Sequence, residues 1–377
     1  MSLKTIAKHI SFIIIVLALQ MIPACVGSGA EQQKVILLKQ KADRAVAMLN
    51  EKLADGCDVS EIIPKMKNVK TLGEQRKIEQ AHTLLDEIFA DFSALECGPD
   101  ESELAGEEFI NDRIVTIKGY DGDVMEAFIS RDGKYLFFND METPEKNKDI
   151  FWAARIDDYT FNFMGEVKNI NTKSVEGVPS MDRYGNFYFV STFKYADTLV
   201  TIYGGRFDNG TVKDIRPLKD LSLHKKGWLN MGSEISADSQ TLYSTQTYFG
   251  DGSPPTRSYF FYSKKKGDRF IPQDNSEQIF KEINKDDVVY GITVSEDELE
   301  ILYTRLISGK VFQSLRAVRD SKNAPFKKPE VIKTITGFSE APALTNDGKL
   351  IYYHKKGQGG KFKLHVLHRN DTENIYR

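Results

Sequence analysis

Glu126-Ala-Phe-Ile-Ser-Arg-Asp-Gly-Lys-Tyr-Leu-Phe-Phe138 sets an Asp-Gly pair between two apolar runs, the second of them aromatic. That pairing is the strongest short-range signature of a β-hairpin. The pattern returns four more times, as Val178-Pro-Ser-Met-Asp-Arg-Tyr-Gly-Asn-Phe-Tyr-Phe189, Gly232-Ser-Glu-Ile-Ser-Ala-Asp-Ser-Gln-Thr-Leu-Tyr243, Gly291-Ile-Thr-Val-Ser-Glu-Asp-Glu-Leu-Glu-Ile-Leu-Tyr303 and Ala341-Pro-Ala-Leu-Thr-Asn-Asp-Gly-Lys-Leu-Ile-Tyr-Tyr353. The turn residue of each copy is Gly133, Gly185, Ser239, Glu298 and Gly348, at spacings of 52, 54, 59 and 50 residues. Self-similarity at that period is the mark of a repeat architecture.

Between the hairpins lie further strand-like runs. Asp149–Arg155 and Phe161–Ile170 follow the first. Leu199–Phe207 and Val212–Leu218, joined by Asp208-Asn209-Gly210, follow the second. Ser258–Ser263, with a turn near Gly267, follows the third, and Phe312–Arg319 and Pro329–Ile335 follow the fourth. The last unit has Phe362–Arg369 but no fourth strand, and Arg113–Ile117, ahead of the first repeat, is free to supply it. Four strands per unit, with one early strand closing a ring, predict an all-β fold, a β-propeller of five blades with six as the rival count. These motifs resemble the TolB-type (WD40-like) propeller repeat, on Pro179-Ser180 with Gly185, Ser130 with Asp132-Gly133, and Pro342 with Asp347-Gly348. The resemblance covers about residues 127–370 and implies the fold; the fold itself does not name an activity.

Outside the repeats the chain changes character. Lys4 and Lys8 precede the apolar run Phe12–Leu19, which is too short to cross a bilayer as a helix. Ile22-Pro23-Ala24-Cys25 then resembles the lipobox of bacterial lipoproteins, whose cysteine is lipidated and becomes the first residue. Residues 1–25 are therefore expected to be a signal peptide, with Cys25 acylated. Val26 stands where an inner-membrane retention signal would be Asp, so the resemblance implies an outer-membrane lipoprotein facing the periplasm or the cell surface. An ordinary secretory leader is the alternative.

Residues 31–108 hold 10 Lys/Arg against 17 Asp/Glu, a net of −7, whereas 109–377 carry a net of +2, so a domain boundary is expected near 108. Val35, Leu38, Ala42, Ala45, Leu49 and Leu53, and then Ile78, Ala81, Leu85, Ile88, Phe92 and Leu95, recur at helical spacing. Pro64 argues against one long helix, so 26–108 reads as a helical hairpin, a stalk ahead of the propeller at 109–377. Cys57 and Cys97 flank it, and in an oxidising compartment they form a disulfide or remain two isolated thiols.

The functional signal is thinner. A net charge of −3 gives no electrostatic case for nucleic acid. No His/Cys spacing suits a metal, no Gly-x-Ser-x-Gly elbow or phosphate-cradling loop occurs, and no cofactor is implied. Asp132, Asp238, Asp297 and Asp347 could be read as catalytic carboxylates. They recur once per unit in a turn, where capping the local backbone is the simpler role. Glu126, Glu176, Trp228, Glu234, Tyr290 and Glu340 lie around the starts of the inner strands and are expected at the channel mouth, beside the loops Asn139–Lys148, Thr245–Arg257 and Lys355–Gly360. The expectation is a non-enzymatic envelope lipoprotein that binds a protein segment or an envelope glycan at that mouth. The alternative is a carbohydrate-active enzyme, a glycoside hydrolase or lyase using channel carboxylates.

Overall fold

The computed structural model describes residues 29–54, 57, 59, 61–95, 107–143, 146–250, 255–307, 311–357 and 359–370. Two short strands, β1 (Phe109–Ile114) and β2 (Thr116–Lys118), open the β region. Blade one is β3 (Met125–Ile129), β4 (Tyr135–Asn139), β5 (Ile150–Arg155) and β6 (Thr160–Glu166). Blade two is β7 (Glu176–Met181), β8 (Asn186–Ser191), β9 (Ile202–Asp208) and β10 (Thr211–Pro217). Blade three is β11 (Trp228–Ile235), β12 (Thr241–Tyr248), β13 (Arg257–Lys266) and β14 (Arg269–Pro272). Blade four is β15 (Val289–Val294), β16 (Glu300–Ile307), β17 (Val311–Val318) and β18 (Glu330–Val331). Blade five is β19 (Ser339–Leu344), β20 (Leu350–Lys356) and β21 (Phe362–Arg369). Each blade is an antiparallel meander with its first strand innermost, and β1 pairs antiparallel with β21 as the fourth strand of blade five. The molecule is a five-bladed β-propeller.

Closure extends one step beyond expectation. After leaving blade five the chain runs straight into β2, which pairs in parallel with β6 on the outer edge of blade one. One segment therefore covers the edges of both blades at the seam, the device by which a propeller hides strand edges that would otherwise pair with other chains. A ring of alternating charge fastens blade five, beside this closure, to blade four. Glu108, just before β1, pairs with Arg316 (2.8 Å) and with Arg369, and Glu300 pairs with Arg369 (2.7 Å) and with Arg316. The ring forms part of the lining of a cavity of about 550 Å³ between blades four and five.

Blades pack face to face through the aromatic second strands seen in the sequence. Phe137 of blade one meets Phe187 of blade two edge-on at 5.1 Å and Phe207 at 4.9 Å, geometries that aromatic quadrupoles favour. Leu350, Tyr352 and Leu364 of blade five share one core with Leu136, Phe138 and Phe161 of blade one.

The N-terminal unit has three helices, not the two expected: α1 (Gly29–Ala54), α2 (Ile62–Glu74) and α3 (Ile78–Ala94). The piece assigned to an irregular joint is α2. Pro64 is its third residue, in the first turn, where an N–H has no intrahelical acceptor and a proline removes nothing. Leu38, Ala42, Ala45 and Leu49 of α1, Met66 and Val69 of α2, and Leu85, Ile88 and Phe92 of α3 are buried as one core. Cys57 is disulfide-bonded; Cys97, its expected partner, and Cys25 lie outside the described residues. The same core takes in Met125, Met141, Val288, Leu306, Phe312, Phe338 and Phe362 of the propeller. All seven stand where inner strands begin, second strands end or third strands start, on blades one, four and five. The helices thus cap one sector of the channel mouth, and among the described residues blades two and three contribute no member of this core.

Candidate functional site

Every inner strand breaks register at the same place, between Met125 and Phe128, Gly177 and Ser180, Asn230 and Gly232, Tyr290 and Thr293, and Glu340 and Ala343. A bulge of this kind bends a strand and re-aims its side chains. In four blades the residue at the bulge is left-handed: Glu126 (φ 48°), Val178 (φ 51°), Gly291 (φ 62°) and Ala341 (φ 51°). For Val178, which is β-branched, this backbone is an outlier.

The N–H groups freed by the bulges find side chains on the second strand of the preceding blade. The Glu126 N–H donates to His354 Nδ1 (3.1 Å), that of Val178 to Asn139 Oδ1 (3.2 Å) and that of Ala341 to Thr304 Oγ1 (2.9 Å). Asn139, Ser191, Thr245, Thr304 and His354 occupy one repeat position, each just after the aromatic run, and all five are buried. A polar residue in a buried strand needs a partner, and in three of the five that partner is the next blade's bulge.

The mouth carboxylates are tied to the rest of the chain. Because His354 Nδ1 accepts from Glu126, Nε2 carries the proton and donates to Glu340 Oε2 (3.3 Å). The Tyr290 hydroxyl donates to Glu340 Oε1, and burial beside that carboxylate pushes the phenol well above its ordinary range. Glu126 forms an ion pair with the buried Lys148 at 2.7 Å. Glu176 accepts from Ser191 Oγ (2.7 Å), the Thr172 N–H (2.9 Å) and Thr172 Oγ1 (2.8 Å). Burial raises the Glu176 carboxyl while these donors pull it back.

Glu234 corrects its expected position. It lies near the far end of β11, away from the mouth, fully enclosed with Arg131. The Arg131 guanidinium donates to Glu234 Oε1 (2.5 Å) and to the Ile235 carbonyl (2.6 Å), so blade one reaches across to blade three. Burial pushes this carboxyl up against the pull of the guanidinium. The pair fastens that end of the channel and is out of reach of any ligand at the mouth.

The loop from β4 to β5 adds a group the sequence did not single out. Asp140 is buried, accepts from the Asp149 N–H (2.9 Å) and pairs with Lys146. Asp149, half-buried, is raised to about 7 by desolvation first and then by the charges of Asp140, Glu166 and Glu176.

Across the mouth, on blades two and three, the surface is open and aromatic. Trp228 lies against Tyr248 (5.1 Å between ring centres, 31°) and Tyr259 (5.8 Å), all three partly exposed, with Phe193 and Leu223 exposed nearby.

Of the expected mouth residues, Glu126, Tyr290 and Glu340 share one network with His354; Trp228 sits on the open side, and Glu176 at the start of β7 between them. His354, Lys148, Asp149, Tyr248 and Tyr259 were missed. Only the polar residue closing each aromatic run, at a fixed repeat position, could have flagged His354. The turn aspartates cap their hairpins: Asp132 accepts from Ser130 Oγ (2.7 Å), Asp238 from Ser236 (2.6 Å), Asp297 from Ser295 (2.6 Å) and Asp347 from Thr345 (2.6 Å). Blade two lacks that residue and uses Asp182, which accepts from the Tyr184 and Asn186 N–H groups. Among the described residues no group of three or more His, Cys, Asp or Glu is arranged to hold a metal, and no helix is long and apolar enough to cross a membrane.

No family model matches the chain, and no curated protein matches it in sequence. Solved structures similar to it include TolB from Acinetobacter baumannii, at 14% identity and a TM-score of 0.37 over 65% of this chain, which spans 54% of that one. An endo-arabinase from Bacteroides thetaiotaomicron is 14% identical at a TM-score of 0.46, covering 68% of this chain and 96% of that one. A family 117 glycoside hydrolase from the marine bacterium Zobellia galactanivorans is 11% identical at 0.45, covering 69% and 90%. At these identities and scores the likenesses carry nothing about chemistry.

Proposed function

We propose that this chain is a non-enzymatic binding propeller of the cell envelope, a lipoprotein tethered through Cys25, that takes a glycan on the open half of its channel mouth. One observation carries the reading: each acid near the inner strands already has a partner within the chain, while among the described residues nothing covers the partly exposed rings of Trp228, Tyr248 and Tyr259 on blades two and three. Glu126 is neutralised by Lys148, Glu340 is engaged by Tyr290 and His354, Glu176 by Ser191 and Thr172, and Glu234 by Arg131. Partly exposed aromatic faces suit the apolar faces of sugar rings, with a polar tip left for hydrogen bonds.

A second reading, a carbohydrate-active enzyme, is favoured by a different observation. The carboxyl of Asp149, whose N–H donates to Asp140 Oδ1 on the mouth side of blade one, is raised to about 7, the range in which a general acid of glycoside cleavage works. One experiment separates the two. The purified full chain is incubated with a panel of oligosaccharides, and both retention and release of new reducing ends are measured. The binding reading expects retention with no cleavage. Cleavage abolished by Asp149→Asn would sink it in favour of the hydrolase.

A further inference from the structure

We infer that the open half of the mouth recognises an anionic glycan, one bearing uronate or sulfate groups; this rests on the glycan reading above and narrows it. Four cations stand on the strands and loops that carry the aromatic surface. Lys194 lies on one side with its ammonium 5.6 Å from the Phe193 ring, Lys225 and Lys226 immediately precede the Gly227–Trp228 turn, and Arg257 stands opposite Tyr248 across the β12–β13 ladder. All four are exposed. The described loops around them carry Asp197, Asp220, which is paired with Arg269, and on the blade-four side Asp286, which is paired with Arg305, and Asp287, whose carbonyl accepts from the Ser258 N–H. These cations belong to a propeller whose net charge over 109–377 is +2, and a local positive field raises the concentration of anions at the surface.

The surface is also held in shape. The Gly227 N–H donates to the Tyr195 hydroxyl (3.1 Å), which in turn donates to the Trp228 carbonyl (3.0 Å). The Trp228 N–H donates to the Lys225 carbonyl (3.1 Å) and the Phe249 N–H to the Gly227 carbonyl (2.9 Å). The two ring nitrogens of His224 reach the carbonyls of Thr198 (3.3 Å) and Lys219 (3.0 Å). The loop that presents Trp228 and both lysines is therefore stitched to β12, to the segment before β11 and to the short helix Tyr195–Thr198, so little ordering remains to be done on binding. Stacking rings beside amines match a pyranose chain that offers C–H faces and carboxylate or sulfate edges in alternation. An acidic peptide would use the amines and leave the rings idle.

The test titrates the purified full chain with a homogalacturonan oligosaccharide, a neutral arabinan oligosaccharide of equal length and a polyglutamate peptide. The uronate chain is expected to bind, and to bind less tightly as salt rises. Reversal of Lys225 and Lys226 together (Lys225→Glu, Lys226→Glu) should weaken that binding by about tenfold or more, and Trp228→Ala by roughly three- to tenfold, the weight of one aromatic contact. Both variants should melt like the parent, since none of the three positions is buried. If the neutral chain binds equally well and charge reversal is silent, the anionic inference falls while the glycan reading stands. If polyglutamate binds as tightly as the uronate chain and Trp228→Ala has no effect, the surface is a general anion patch and the inference falls. If neither oligosaccharide binds, both readings fall together.

Discussion

Ser239 and Glu298 hold the turn position that glycine fills in the other three hairpins, and both keep its left-handed backbone, at φ 64° and 61°. That conformation costs a non-glycine residue about 1 kcal/mol. Glu298 has compensation: its carboxylate accepts from the Tyr243 hydroxyl (2.6 Å) and pairs with Lys322 (2.5 Å). Ser239 has no such partner for its buried hydroxyl. The loss of glycine in two repeats therefore has a structural use at one and none at the other. Asp149 is a residue whose chemistry departs from its type. Its folded pKa of about 7 lies above the ordinary carboxylate range, so the native state holds a proton that the unfolded chain has released. Its contribution to stability is intact below about pH 4 and is lost as pH rises through 7. Asp149→Asn is expected to be neutral near pH 4 and stabilising by about 1 kcal/mol at pH 8, after allowance for solvent at a half-buried site. Urea midpoints at the two pH values measure this, and an equal effect at both would show that the side chain does not titrate in this way.

At the scale of the element, the repeated bulge explains why the inner strands are neither regular nor interchangeable. It turns each strand at the channel, and in three blades the freed N–H is captured by the neighbouring blade, so these blades are joined by hydrogen bonds as well as by aromatic packing. Strain of this kind costs of order 1–3 kcal/mol at a non-glycine residue. Val178→Gly should therefore raise the urea midpoint by the equivalent of about 1 kcal/mol, part of the relief being lost with the contact of Val178 Cγ1 against the Gly232 position. Gly291→Ala should do the reverse, because a Cβ there would stand 3.0 Å from Ala341 Cα at a backbone φ of 62°. Equal and small effects at both positions would mean that the bulges are relaxed.

For the whole molecule, the question is whether cap and propeller are one cooperative body. Phe338 is the test residue: it stacks on Phe312 at 4.5 Å, meets Phe362 edge-on at 5.5 Å and belongs to the core shared with the helices. Phe338→Ala removes a buried ring, a change worth about 3–5 kcal/mol. We expect amide exchange to accelerate across α1–α3 and in blades four and five while the inner strands of blades two and three keep their protection. A uniform loss in all five blades would show that the helices and the propeller unfold together. The separation matters for function, since the sector left open by the cap is the one that carries the aromatic surface.

The order of strands, the five-fold repeat, the capping role of the turn aspartates and the helical preface were legible in the chain itself, because each rests on local periodicity: alternation in strands, three- and four-residue spacing in helices, and Asp-Gly at turns. The same counting favoured five blades with six as a rival, and the five sheets decide for five. Which residues meet at the mouth was not legible, because His354, Glu126, Glu340 and Tyr290 come from three blades up to 228 residues apart, and local pattern is blind to contacts made by ring closure. Glu234 shows the cost of reading position from sequence alone. It stands only a few residues past the start of β11, yet the strand carries it to the opposite end of the channel, where burial with Arg131 decides its role. The sector covered by the helices, and hence the one left free to bind, depends on which blades offer an apolar rim, and only packing in three dimensions could decide that.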